Sequence, residues 1–191
     1  MGRVLPLSGV EGSAEDLQLA TEVLGGGFLS RLMDDLRETK GWTYGIYSYL
    51  PVRAGPRPLL VASQVQADRT ADSIRAIQDI MEGYPASAPV TKPELQRVTD
   101  GNIRGLPIGF ETNGQVLSSI NANQLLGRPA DYAEALPEIY RGITGEQIEM
   151  AAANYLRPED MTIVVVGDRS VIDEQLADTG MEVEYLDADE L

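Results

Sequence analysis

Apolar and polar positions alternate between two periods along the chain. Val4 to Leu7 is a short apolar run that predicts a strand, and Gly9 to Gly12 is turn chemistry. Ser13, with Asp16 three residues on, predicts a helix N-terminus, and Leu17, Ala20 and Leu24 recur on one helical face. Gly25-Gly26-Gly27 predicts the end of that helix through left-handed glycine backbone. Phe28, Leu29, Leu32, Met33 and Leu36 then fall in a stripe about 140° wide, predicting a second amphipathic helix with all five inward and Lys40-Gly41 as its stop. Thr43 to Leu50 changes to strand chemistry, with Tyr44, Ile46, Ser48 and Leu50 expected on one face. Arg53 to Pro58 is a Gly/Pro loop, and Leu59 to Gln66 predicts a strand antiparallel to the one before.

Helical periodicity dominates the next hundred residues. Thr70 to Met81 predicts a helix with Ile74, Ile77 and Met81 inward. Thr91-Lys92-Pro93-Glu94 is a capping box opening a helix to about Arg104, interrupted over Gly105 to Gly109. Helices over about Asn113 to Leu126 and Asp131 to Tyr140 follow, and Thr144-Gly145-Glu146-Gln147 caps another with Ile148, Ala151, Ala152 and Tyr155 inward. Met161 to Val166 is a continuous apolar run, expected as a buried central strand. Gly167-Asp168 leads to a short final helix, and the acidic stretch from Glu182 to Leu191 is expected as a frayed edge strand or tail. Adjacent strands followed by a run of helices predict an α+β fold, a mostly antiparallel sheet with helices packed on one face, in a single domain over residues 1–191.

Composition narrows the chemistry. The 191 residues contain no cysteine and no histidine, so a thiol nucleophile, a Ser-His-Asp triad and a histidine-ligated metal centre cannot be completed within this chain. A net charge of −15 argues against a phosphate-neutralising nucleic-acid surface, and with only two lysines there is no polybasic membrane patch. That acidity is expected to favour basic peptides through long-range attraction. No apolar run reaches the ~18 residues that span a bilayer.

Four groupings are candidates for function. Gly25-Gly26-Gly27 lacks the lysine and the spacing of a phosphate loop, and reads as a helix-to-helix corner, with a small anion site as the competing reading. Asp34-Asp35 and Asp187-Asp189-Glu190 match no calcium loop and read as solvated faces. The tyrosines at 44, 47 and 49 suit a half-buried strand or a stacking surface. Arg37, in the last turn of one helix, and Tyr44, seven residues on after a glycine reversal, can converge on one pocket. Two fixed donors of this kind can hold an oxyanion or anchor a peptide backbone; the competing reading is an arginine paired with Glu38 or Asp34 and a tyrosine at a core edge.

Several stretches taken together resemble one family. L-G-G-G-F-L-S-R-L at 24–32, L-R-E-T-K-G-W-T-Y-G at 36–45, V-T-K-P-E-L at 90–95, L-P-I-G-F-E-T at 106–112 and V-V-V-G-D at 164–168 are similar to the C-terminal domain of the insulin-degrading, pitrilysin-like zinc peptidases, in the family's order. The resemblance implies the α+β fold shared with mitochondrial processing peptidase. It implies a homologous zinc-bearing N-terminal domain or subunit as partner, a peptide as substrate, and zinc held by that partner through a His-x-x-Glu-His motif absent here. In this family the stretch matched at 36–45 supplies an arginine and, seven residues on, a tyrosine to the active site; Arg37 and Tyr44 fall on those positions. Tyr44 is then expected to stabilise the tetrahedral intermediate, and Arg37 to bind substrate backbone or order the site. The chain is expected to be inactive alone, a fragment of a longer peptidase, with a lean to the bacterial periplasm. The alternative is a non-catalytic structural or binding module of a peptidase-like scaffold.

Overall fold

The computed structural model describes residues 1–7 and 14–186. Three strands, β1 (Gly2–Leu5), β2 (Thr43–Tyr49) and β3 (Arg57–Val65), form an antiparallel sheet in the order β1-β3-β2. β3 lies at the centre because the Gly/Pro loop returns it directly beside β2, with Tyr47 opposite Ala62 and Tyr49 opposite Leu60. β1 closes its other side, Arg3 opposite Leu59. One sheet face turns Ile46, Ser48, Leu59 and Val61 inward, while Tyr47, Tyr49 and Ala62 stay exposed on the other.

Helix α1 (Ala14–Gly25) covers the inner face, with Leu17, Leu19, Ala20, Val23 and Leu24 almost fully buried. It meets β2 through a buried hydrogen bond from the Ser48 hydroxyl to the Thr21 carbonyl at 2.7 Å. Behind it stand α3 (Lys92–Gly105), α5 (Tyr132–Gly142) and α6 (Gly145–Tyr155), while α2 (Thr70–Gly83) packs on α7 (Arg169–Ala177). The capping boxes at Thr91 and Thr144 form as read, and Ile74, Ile77, Met81, Ile148, Ala151 and Ala152 are buried. Helix α4 (Asn113–Leu125) buries none of its residues; Leu117, Ile120 and Leu125 are exposed, and no charged residue occurs from 113 to 127. The α+β fold, with an antiparallel sheet, is as expected.

Four local expectations are corrected. The first strand is Gly2–Leu5 rather than Val4 to Leu7, because its register is set by pairing with Arg57–Leu60. The second helix is a seven-residue π-helix, Met33–Thr39, and its stripe is narrower: Leu32, Met33 and Leu36 are buried, whereas Phe28 and Leu29, in the turn ahead of it, are 64% and 75% exposed. Gly25, Gly26 and Gly27 do not adopt left-handed backbone; among the described glycines only Gly41, Gly127 and Gly180 have positive φ. Gly25 is needed for proximity instead, since a Cβ there would lie 2.5 Å from the Ser48 amide nitrogen. Met161 to Val166 is not a buried central strand. Thr162 makes one antiparallel bridge to Gly2; Ile163 and Val165 pack on the small cluster of Ile74, Ile172 and Leu176, but Val164 and Val166 are 74% and 94% exposed. The apolar run is therefore an extended margin of the molecule, buried on one side only. The turn at Gly9 to Gly12, the Ser13 cap and the acidic cluster at 187–190 lie outside the described residues.

Candidate functional site

Arg37 and Tyr44 meet at one end of the sheet. Arg37 leaves the π-helix near its end, where the widened turn is closed by the Lys40 N–H on the Asp35 carbonyl at 2.9 Å. Gly41, at φ +65°, reverses the chain, and the Trp42 N–H closes the corner on the Leu36 carbonyl at 2.9 Å. β2 starts two residues later.

A break of register between Thr43 and Ile46 then sets the direction of Tyr44. Uninterrupted alternation would put Tyr44 on the inner face with Ile46 and Ser48; the bulge turns it into solvent, 91% exposed. Side chains pin the bulge. The Thr43 hydroxyl donates to the Gln64 carbonyl at 2.7 Å and accepts the Gly45 N–H at 3.0 Å, and the Ser63 hydroxyl donates to the Gly45 carbonyl at 3.0 Å. Gly45 leaves room for the Tyr47 ring, which a Cβ would approach to 3.1 Å. The expected common face of Tyr44, Ile46, Ser48 and Leu50 thus holds from Ile46 onward and fails at Tyr44.

The Arg37 guanidinium carbon lies 5.4 Å from the centre of the Tyr44 ring and 5.0 Å from that of Phe28. Both distances are in the range of cation–π attraction. Among the described residues Arg37 makes one ion pair, to Glu38 at 3.4 Å; that carboxylate is well exposed, so solvent screens the pair. Among the described residues the guanidinium N–H groups make no hydrogen bond, and their edge is available to a carbonyl or an oxyanion. Phe28 was not among the residues singled out from sequence; its apolar spacing placed it in the core stripe, and only its exposure shows otherwise.

The other candidates separate from this pair. Asp35 pairs with Lys40, and the three glycines form a corner closed by the Ser30 N–H and hydroxyl on the Gly27 carbonyl. A cleft of about 780 Å³ opens beside α1, α3 and α5, lined by Glu22, Ser48, Asn102, Phe110, Arg128 and Tyr132 but by neither Arg37 nor Tyr44. Burial pushes the Glu22 carboxyl above its ordinary range, against hydrogen bonds from Asn102 and Gln18. On the far side, Glu94 caps α3 and accepts Arg31 Nε at 2.7 Å; burial raises its pKa, but Arg31 and Thr91 outweigh this and hold it down at about 2.

A catalytic zinc ion does not fit these residues. The chain has no histidine or cysteine, and among the described residues no group of three or more acidic side chains converges on one point. What the fold presents is a sheet edge where an exposed phenol and a half-buried guanidinium meet, with no cluster of candidate metal ligands among the described residues. Residues 11–101 match the family model of the peptidase M16 inactive domain, and the chain is similar to that domain over this span.

The chain is 30% identical over 142 residues to an uncharacterized zinc protease of Mycobacterium tuberculosis strain H37Rv, an alignment covering 73% of this chain and 32% of that protein. It thus spans about a third of the length of the curated relatives it matches. Its fold is similar to the peptidase M16 inactive domain from Pseudomonas fluorescens, with a TM-score of 0.73 and 24% identity over 82% of this chain and 37% of that one. The periplasmic protease PqqL of Escherichia coli is similar over 79% of this chain and 16% of its own, with a TM-score of 0.61 and 18% identity.

Proposed function

We infer that this chain is the site-completing domain of a longer zinc endopeptidase. It supplies Arg37 and Tyr44 to a peptide bond that is cleaved at the metal centre of a homologous, zinc-bearing partner domain or subunit. The observation that carries the reading is the meeting of the two side chains: a bulge turns Tyr44 outward, and Arg37 lies 5.4 Å from its ring, held among the described residues only by a screened ion pair to Glu38. A phenol in solvent contributes little to this domain's stability, so its placement makes sense as a contact to something else. Tyr44 Oη then donates to the oxygen that becomes anionic when water attacks the scissile carbonyl, and Arg37 grips a neighbouring backbone carbonyl. The M16 match over residues 11–101 and the mycobacterial zinc protease support the same reading. The periplasmic location of PqqL supports a bacterial periplasmic setting.

The test combines this chain with its zinc-bearing partner and follows peptide hydrolysis. Tyr44→Phe lowers kcat on the order of 100-fold, the cost of one oxyanion donor, and Arg37→Ala lowers kcat/KM. Unchanged turnover in both variants refutes the catalytic role.

A second reading, a non-catalytic binding module, is favoured by helix α4. Its 113–127 stretch is free of charge and exposes Leu117, Ile120 and Leu125, the charge-poor composition typical of an interface core. If that reading holds, the partner lacks the His-x-x-Glu-His motif and the Tyr44 and Arg37 variants are silent.

A further inference from the structure

The geometry points to Phe28 as a positioning residue: its ring, together with that of Tyr44, clamps the Arg37 guanidinium at the exposed sheet edge so that its N–H groups stay aimed outward. The functional part rests on the reading of Arg37 as a peptide-binding group; the clamp itself rests on distances alone. The guanidinium carbon is 5.0 Å from one ring centre and 5.4 Å from the other. The two rings come from separate segments, one from the turn ahead of the π-helix and one from the bulge after it. Neither fills the core, Phe28 being 64% exposed and Tyr44 91%. Leaving a large phenylalanine in water forgoes the gain of burying it, so its position demands another explanation.

Arg37 supplies that explanation. A long side chain held only by a screened ion pair to Glu38 samples many rotamers. Stacking restricts the guanidinium plane while leaving its in-plane donors unspent. Among the described residues those donors make no hydrogen bond, so an incoming peptide carbonyl meets a donor set that is already oriented. Preorganisation of this kind improves binding without adding a contact to the substrate.

The test uses Phe28→Leu, which keeps apolar bulk and removes the ring, and Phe28→Tyr, which keeps the ring. Because the position is exposed, both variants melt with the parent chain. The first readout needs this chain only: the Arg37 side-chain Nε–H resonance, identified by its loss in Arg37→Lys. The ring current of Phe28 shifts it, so the resonance moves in Phe28→Leu and stays in Phe28→Tyr. The second is peptide hydrolysis with the zinc-bearing partner present. There Phe28→Leu lowers kcat/KM roughly two- to five-fold, and Phe28→Tyr restores it. An unmoved resonance in Phe28→Leu overturns the clamp. A moved resonance with unchanged turnover, while Arg37→Ala is impaired, overturns the positioning role and leaves the reading of Arg37 standing. Silent Arg37→Ala overturns that reading and the positioning role with it.

Discussion

Gly25→Ala tests whether α1 and β2 are held as close as described, and with them the framework that presents the site. An ideal Cβ at residue 25 lies 2.5 Å from the Ser48 amide nitrogen and 2.6 Å from its hydroxyl oxygen. Ordinary contacts need roughly 1 Å more, and the nearest atom is backbone, so no rotamer change relieves the clash. The Ser48 hydroxyl is also tied to the Thr21 carbonyl at 2.7 Å, and a shift of β2 strains that bond. Overpacking of this kind costs about 1–3 kcal/mol, while replacing glycine near a helix end returns about 0.4–1 kcal/mol. The expected net loss is about 1–2 kcal/mol, or about 2–8 °C in Tm for a chain of this size. Gly27→Ala is the control: a Cβ there meets nothing within 4 Å, so the melt stays level or rises slightly. Thermal and urea unfolding of the two variants beside the parent chain decide the matter. A Gly25→Ala protein melting at or above the parent temperature refutes the argument from close approach.

Tyr44→Phe should change unfolding free energy by less than about 0.5 kcal/mol, since the phenol is displayed in solvent, whereas Arg37→Ala, which removes a half-buried side chain from between two rings, should cost about 0.5–1 kcal/mol; urea titration checks both. Gly41→Ala, at φ +65°, should cost about 1–2 kcal/mol in the same assay through left-handed strain. Leu36→Ala, at a fully buried position of the π-helix, should cost about 2–5 kcal/mol. Glu94 has a folded pKa of about 2, below the ordinary 4.5, so its contribution is fully present above pH ~4.5 and is lost as pH falls through about 2. Glu94→Gln should therefore flatten the stability profile across that acid window, measured by urea unfolding at stepped pH.

Most elements were legible because their signals are local. Capping boxes at Thr91 and Thr144 need only a four-residue pattern, and the stop at Lys40-Gly41 follows from one left-handed glycine. The misreadings share a cause: each depended on a neighbour distant in sequence. Val164 and Val166 look like core residues until it emerges that only Thr162 bridges to β1. Phe28 and Leu29 fit the helical stripe, yet the helix starts after them. The pairing of residues 37 and 44 was readable from motif and spacing, but the outward turn of Tyr44 was not. It depends on Ser63 and Gln64 of β3 gripping the bulge, and nothing in T-Y-G-I-Y announces a register shift.

The extended segment ending at Val166 has a practical consequence. Its β-branched side chains, and the amides beyond Thr162 that find no backbone partner among the described residues, offer a template onto which the same segment of a second molecule can stack, the seed of a cross-β ribbon. Fifteen surplus negative charges on each molecule oppose that approach at low ionic strength. Salt shortens the reach of the repulsion to about 10 Å at 0.1 M, so concentrated stocks should turn cloudy as sodium chloride is raised.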